Sequence, residues 1–294
     1  MKKVICSFAS SNFQESLVRL HKEIKKIDFF DQSYLYNENN LDSIFRSKFE
    51  KYLKEDVRGY GYWIWKPYLI NSVLSTLNDG DSLLYIDAGC HINKKGKKRL
   101  TKYFNLLDHS KSGILAFQLS YDMVSYSFFG KKVIIKNYFL ERKWTKGDLL
   151  DFFKIRNQKS ITETPQILSG AIFIKKNSVS REFLSEWMDV LHNHLELIDD
   201  SNSITDNDEE FIEHRHDQSV FSILCKLYKV DLLPTTEIEA EPAVVNNYPI
   251  LAIRDIGGRM PYKSFSYFRL TRMLKAPYLL FERFTNKLSQ IINQ

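Results

Sequence analysis

Three stretches of the chain gather side chains that can do chemistry. In the first, the apolar run Leu83-Leu84-Tyr85-Ile86 ends on Asp87, followed at once by Ala88, Gly89 and Cys90. A carboxylate carried to the edge of a strand can hold a divalent cation or a ribose hydroxyl, and a glycine beside it lets a ligand approach the backbone. The bland alternative is an Asp that opens a turn. In the second, Arg58-Gly59-Tyr60-Gly61-Tyr62-Trp63-Ile64-Trp65-Lys66-Pro67-Tyr68, aromatic rings alternate with glycines and two cations. Such a segment can wall a base or a sugar, with Arg58 or Lys66 on a phosphate; otherwise it is a helix start packed into the core. The third, Glu213-His214-Arg215-His216-Asp217-Gln218, sets consecutive polar groups before the apolar run Val220-Phe221. Asp217 and Gln218 fall in a first helical turn, where the helix dipole favours a carboxylate. His214 and His216 could ligate a metal or touch phosphate, although they lack the i, i+4 spacing of a helical zinc motif.

The elements that must carry these residues alternate between strand and helix. Residues 4–9, 82–87, 113–117 and 170–174 read as short apolar strands of the kind buried on both faces. Helical patterns cover residues 13–27, 40–54, 66–77, 178–197, with Ser180 as a cap, and 216–228, and a further strand follows at 230–233. This alternation predicts an α/β fold with a mostly parallel sheet flanked by helices. Ligands of such sheets bind at the carboxyl ends of strands, which points to Ser7, Ser10 and Asp87. Ser169 precedes its strand and is less favoured by that rule.

Composition narrows the function classes. The 294 residues are 44% hydrophobic and 27% charged, which excludes a wholly disordered chain. The net charge, 42 − 36 = +6, is too mild for a protein coated in nucleic acid and suits a nucleotide phosphate or a lipid headgroup. Cys6, Cys90 and Cys225 are odd in number and scattered, against a disulfide framework or structural zinc. Without a signal-peptide pattern or an apolar run of about 20 residues, the expected compartment is the reducing cytoplasm.

Taken in order, the segments at 58–70, 83–90, 169–177 and 214–224 resemble those of bacterial nucleotide-sugar glycosyltransferases of the GT-A type, which build capsule, O-antigen or lipooligosaccharide. The likeness spans about residues 1–235. It implies a GT-A-like, Rossmann-like domain over 1–262 that moves one sugar, from a UDP-sugar, onto a surface-glycan or lipid-linked acceptor. It further implies that Ser7, Phe8, Ala9 and Ser10 meet the nucleotide and that Arg58, Tyr62, Trp63 and Lys66 wall the donor, with Lys66 on its diphosphate. Asp87, with Ala88 and Gly89, stands for the Asp-x-Asp motif. Ser169 and Gly170 border the sugar, His214, His216 and Gln218 contribute to the donor site, and Asp217 contacts the sugar or serves as base beside Asp87. The family's divalent cation, Mn²⁺ or Mg²⁺, would sit on Asp87, but Gly89 replaces the second Asp; Asp87 with His214 or His216 could hold one ion, or cationic side chains could neutralise the diphosphate instead.

Residues 263–294 are set apart as a basic amphipathic helical tail, with Arg269, Arg272, Lys275, Arg283 and Lys287 beside Leu270, Met273, Phe281 and Phe284. It suits an anionic membrane surface, which would make the protein peripheral on the inner face of the cytoplasmic membrane; the alternative is a helix packed on the domain. The lysine-rich run 94–99 reads as a solvated loop and helix start, and the acidic stretch 199–210 as a surface loop, a mobile flap over the acceptor. Two other functions fit less of the pattern. A sugar-phosphate nucleotidyl or phosphoryl transferase wants a glycine-rich loop that residues 8–11 lack. A catalytically inactive glycan-binding module would account for the missing second Asp.

Overall fold

The computed structural model describes residues 1–126, 132–238 and 247–255. The tail at 263–294 lies outside the described residues. Strands β1 (Lys3–Phe8), β2 (Gln32–Tyr36), β3 (Ser82–Ile86), β5 (Ile114–Gln118), β8 (Ile167–Lys175) and β9 (Asp231–Pro234) form a six-stranded sheet in the order β2-β1-β3-β8-β5-β9. β4 (Cys90–Ile92) pairs with β10 (Ile250–Ala252), and β6 (Met123–Tyr126) with β7 (Lys132–Ile135). The main helices are α1 (Gln14–Ile27), α4 (Trp65–Thr76), α5 (Lys97–His109), α8 (Ser178–Asn193) and α9 (Asp217–Leu227). Shorter turns of helix are α2 (Ser43–Lys48), α3 (Gly59–Tyr62), α6 (Gly147–Phe152) and α7 (Lys159–Thr162).

The expected α/β fold with a mostly parallel sheet flanked by helices is the one observed, and both sheet faces are covered. Cys6, Leu83, Tyr85, Ile172 and Ile174 pack with residues of α4, α8 and α9. The alternate positions Ile5, Leu84, Ile86, Ala171 and Phe173 pack with residues of α1 and α5. Burial on two sides explains why these strands read as unbroken apolar runs.

The exception to parallel order decides the site. β3 pairs with β8 antiparallel, with Ile86 opposite Ala171. The start of β8 therefore lies at the same sheet edge as the carboxyl ends of β1 and β3. A register shift between β5 and β8, where Leu115 pairs with Phe173 but Phe117 with Leu168, marks a bulge beside Ser169 and Gly170. Bulges re-aim side chains next to functional sites.

Several expected elements move. The helix expected over 40–54 is only α2, started by Asp42, whose carboxylate accepts from the Phe45 amide at 2.8 Å. α8 is capped by Asn177, not Ser180: the two exchange side chain-to-amide bonds of 2.7 and 3.1 Å, a capping box. The run 94–99 opens α5, where Arg99 pairs with Glu237 at 2.5 Å and Lys97 donates to the Asp28 carbonyl. The acidic stretch 199–210 is not a free flap, because it is docked on the segment 142–156. Asp199 pairs with Lys146 at 3.2 Å, Asp208 with Arg142 at 2.6 Å and Glu210 with Lys143 at 2.8 Å, while Asp148 accepts from the Ile204 and Thr205 amides, both at 2.7 Å. Among the described residues no helix is long and apolar enough to cross a membrane.

Candidate active site

At the sheet edge residues of three separate segments converge on one ammonium group carried by a fourth. Lys66 lies in the first turn of α4 and its side chain is 1% exposed. Its Nζ is 2.7 Å from Asp217 Oδ2, 3.2 Å from Ser169 Oγ, 3.4 Å from the Ser169 carbonyl and 3.4 Å from Asp87 Oδ1. Burial pulls the Lys66 ammonium toward neutrality, but Asp217 and then Asp87 outweigh it, so Lys66 titrates above its ordinary value. The Trp63 and Tyr85 rings lie 5.9 and 5.5 Å from it, close enough for their faces to favour the cation.

Each partner is placed by its element. Asp87 follows Tyr85 by two positions, so the strand's period puts both on one face. The Tyr85 hydroxyl donates to Asp87 Oδ1 at 2.7 Å, and the Asp87 amide donates to the Gly170 carbonyl at 2.9 Å. Asp87 keeps 40% of its side chain exposed, the Asp217 side chain only 4%. A Cβ built on Gly170 would stand 3.0 Å from Asp87 Oδ2, so glycine there leaves that oxygen its space. Asp217 heads α9 and also accepts from Ser169 Oγ at 2.8 Å. Burial raises its pKa against the opposing pull of Lys66. α9 is itself pinned by the buried Glu141, which accepts from Lys226 at 2.6 Å and from Ser222.

The second aromatic stretch takes an unusual backbone. Gly59, Tyr60, Gly61, Tyr62 and Trp63 all have φ between 52° and 90°, a turn of left-handed helix. A Cβ on Gly59 would fall 2.3 Å from the Trp63 ring, so only glycine fits beneath it. Tyr62 and Trp63 then lie against the His216 ring, at centroid distances of 5.2 and 5.7 Å.

Of the residues expected at the donor site, Lys66, Asp87, Ser169, Gly170 and Asp217 come together, with Ala88 and Gly89 on the adjoining loop. Others lie outside this cluster. Phe8 is 4% exposed and stacked on Trp65 at 4.0 Å, leaving no face for a base. Ala9 is 2% exposed among Leu17 and Ala88, and Ser7 is fully buried, while Ser10 reaches the surface. His214 accepts from the Lys146 amide at 3.2 Å; burial first, then His216 and Lys146, hold its pKa well below the ordinary value. His216 Nδ1 bonds the Ile198 carbonyl at 2.6 Å. Gln218 donates to Gln166 at 2.9 Å. Arg58 lies on the surface, 2.5 Å from Glu213.

A divalent cation does not fit this donor set. The space between Asp87 and Asp217 is taken by the Lys66 ammonium. Each imidazole engages a backbone group through Nδ1, and both Nε2 atoms are buried without a hydrogen-bond partner. At Gly89, a Cβ would stand 3.2 Å from Arg254 Cα, and the Gly89 carbonyl accepts from the Asp255 amide at 3.0 Å, so backbone packs where a second Asp would project. Among the described residues no group of three or more His, Cys, Asp or Glu could hold a metal.

Sequence reasoning missed the residues that hold the Asp87 loop. Arg19 on α1 donates to the Ala88 carbonyl at 2.7 Å and the Cys90 carbonyl at 2.9 Å. His91 sits between Glu23 at 2.7 Å and Asp255 at 3.1 Å. The available signal was an Arg and a Glu four apart on an amphipathic helix, which ordinarily means a surface pair.

No family model and no curated protein matches the chain. Its backbone is similar to several solved structures. One is a glycosyltransferase involved in glycosylation of the major capsid of PBCV-1, at 10% identity and a TM-score of 0.44, over 87% of this chain and 96% of that one. Another is the apo form of the glycosyltransferase GlyE of Streptococcus pneumoniae TIGR4, at 12% identity and 0.42, over 98% of this chain and 64% of that one; the chain thus spans less than two thirds of GlyE. A third is the galactosyltransferase LgtC in complex with donor and acceptor sugar analogs, at 10% identity and 0.41, over 93% and 95%.

Proposed function

We propose that the chain is a glycosyltransferase that moves one sugar from a nucleotide-sugar donor, a UDP-sugar, to a bacterial surface-glycan or lipid-linked acceptor. The observation that carries this reading is the convergence on Lys66 of Asp87, Ser169 and Asp217, which come from three of the four segments that resemble those of the GT-A type. In the reaction, the bond from the anomeric carbon to the β-phosphate oxygen breaks and its electron pair leaves with the diphosphate. The acceptor hydroxyl oxygen bonds the anomeric carbon, and its proton passes to a carboxylate. Asp87 is the carboxylate with an exposed oxygen, so it grips a donor hydroxyl or takes that proton. Asp217, buried on Lys66, positions the ammonium and through it Asp87.

The test is hydrolysis and transfer across a panel of nucleotide sugars, with UDP affinity measured by titration. Turnover of one UDP-sugar, lost in Asp87→Asn while UDP still binds, supports the reading. A chain that binds no nucleoside diphosphate and turns over no donor refutes it. Association with an anionic membrane through residues 263–294 is part of the proposal and is read by liposome co-sedimentation of the full chain, which should weaken as salt rises.

A further inference from the structure

We propose, resting on the donor reading above, that this site works without a divalent cation: the Lys66 ammonium is built into the place a metal would take, and Arg58, Arg215 and Arg254 hold the donor diphosphate. Four oxygens surround Nζ at 2.7–3.4 Å. Those are distances of an ammonium, since magnesium demands about 2.0–2.1 Å. A metal bridging Asp87 and Asp217 would have to displace a buried cation already bonded to both.

The positive charge a diphosphate needs is present elsewhere on the rim. Arg215 lies two residues before Asp217, its guanidinium 3.9 Å over the Trp144 ring, with its side chain 25% exposed. Glu213 stands between Arg215, at 3.9 Å, and Arg58, at 2.5 Å. Arg254 is exposed and its backbone packs on Gly89, two residues after Asp87. Its φ of 52° is uncommon for a residue with a side chain. Glu213 thus joins Arg215 to Arg58, and the contact with Gly89 sets Arg254 beside the Asp87 loop. Arg58, Arg215, Arg254 and Lys66 against Glu213, Asp87 and Asp217 sum to 4 − 3 = +1, a positive balance that favours an anionic diphosphate. Guanidinium forks match phosphate oxygens in pairs, a geometry that a point charge does not offer.

The experiment titrates Mn²⁺ into the full chain by electron paramagnetic resonance, with and without UDP, alongside UDP affinity in EDTA. The expected result is no bound Mn²⁺ at up to about 1 mM and UDP affinity changed less than twofold by EDTA. Arg254→Ala should weaken UDP about tenfold without changing the melting temperature; Arg215→Ala should weaken it as much and also lower the melting temperature, because its guanidinium stacks on Trp144. Lys66→Ala frees two carboxylates and should acquire a Mn²⁺ signal; if that variant does not fold, the wild-type titration still decides. UDP binding that appears only with Mn²⁺, or a wild-type Mn²⁺ site tighter than about 100 μM, overturns the metal-free site and leaves the transferase reading standing. If no nucleoside diphosphate binds in either buffer, the transferase reading falls and this inference falls with it.

Discussion

Replacing Asp217 by Ala removes the nearest of the two carboxylates that hold a buried ammonium. Lys66 would be left with Asp87 Oδ1 at 3.4 Å, on a side chain that is itself 40% exposed, and with Ser169. Breaking a buried ion pair by removing one partner costs about 3–5 kcal/mol, because the other charge stays buried. Ser169 Oγ also loses its acceptor, worth about 1 kcal/mol. At roughly 2–4 °C per kcal/mol for a chain of this size, the melting temperature should fall by about 10–20 °C. Asp217→Asn keeps an oxygen for Lys66 and Ser169 and should lose about half as much.

The pH dependence has a definite sign. In the wild type Lys66 titrates above its ordinary 10.5, so its stabilisation is complete below that value and is lost as pH rises through the higher folded one. In the Ala variant burial prevails and Lys66 becomes easier to deprotonate, so the gap in melting temperature should narrow toward alkaline pH. A cycle with Lys66→Met, followed by tryptophan fluorescence on heating, isolates the pair: the double variant should be more stable than the sum of the singles by about 2–3 kcal/mol. An Ala variant melting within about 2 °C of wild type, or strict additivity in the cycle, would refute the reasoning.

Gly170→Ala places a Cβ 3.0 Å from Asp87 Oδ2 and should lower kcat/KM for donor turnover about tenfold with little change in melting temperature; unchanged kinetics would show that this oxygen does not face the donor. Gly59→Ala meets the Trp63 ring at 2.3 Å and requires φ of +64° of an alanine, so thermal melting should show a loss of about 2 kcal/mol or more. The docked loop at 199–210 should loosen in acid. The pKa of Asp148 is lowered, because the Thr205 and Ile204 amides outweigh its burial, and that of Glu210 by Lys143 and then Arg142. Their stabilisation is present above the ordinary values of 3.8 and 4.5 and is lost as pH falls through the lower folded ones. Hydrogen exchange at Ile204 and Thr205, corrected for intrinsic rate, should rise there and not between pH 6 and 8.

What was legible in the sequence follows from burial. β1, β3, β5 and β8 are covered on both faces and announce themselves as apolar runs, and Asp87 stands out because a charge ends one of them. The direction of β8 was not legible: a strand's sequence carries no sign of which way it runs, so Ser169 looked misplaced until the antiparallel pairing with β3 put it on the Asp87 edge. β2 is half exposed and reads as Gln-Ser-Tyr-Leu-Tyr, with no clean period, and was missed. α5 showed only as a helix start behind its lysines, although Leu100, Tyr103, Phe104 and Leu107 form a buried stripe. The long-range groups were beyond reach for the same reason: Arg19 and Asp255 act on Ala88 and His91, 69 and 164 positions away.

The left-handed turn at 59–63 shows why the aromatic stretch had to be read through its backbone. L-residues disfavour this conformation by about 1–2 kcal/mol each, and Tyr60, Tyr62 and Trp63 all adopt it. Something must hold them there. Trp65 Nε1 donates to the Gly59 carbonyl at 3.1 Å, the Tyr62 amide to the Arg58 carbonyl at 2.7 Å, and Phe8 stacks on Trp65. The aromatics that composition would assign to a base are therefore spent on fixing a strained turn. That turn ends one residue before α4, so it sets where the first turn of α4 begins and which way Lys66 points. The turn costs stability, and the buried ion pair holds the side chain that it positions. Together they place one ammonium between two carboxylates before any ligand arrives, and charges fixed in advance need no rearrangement during reaction.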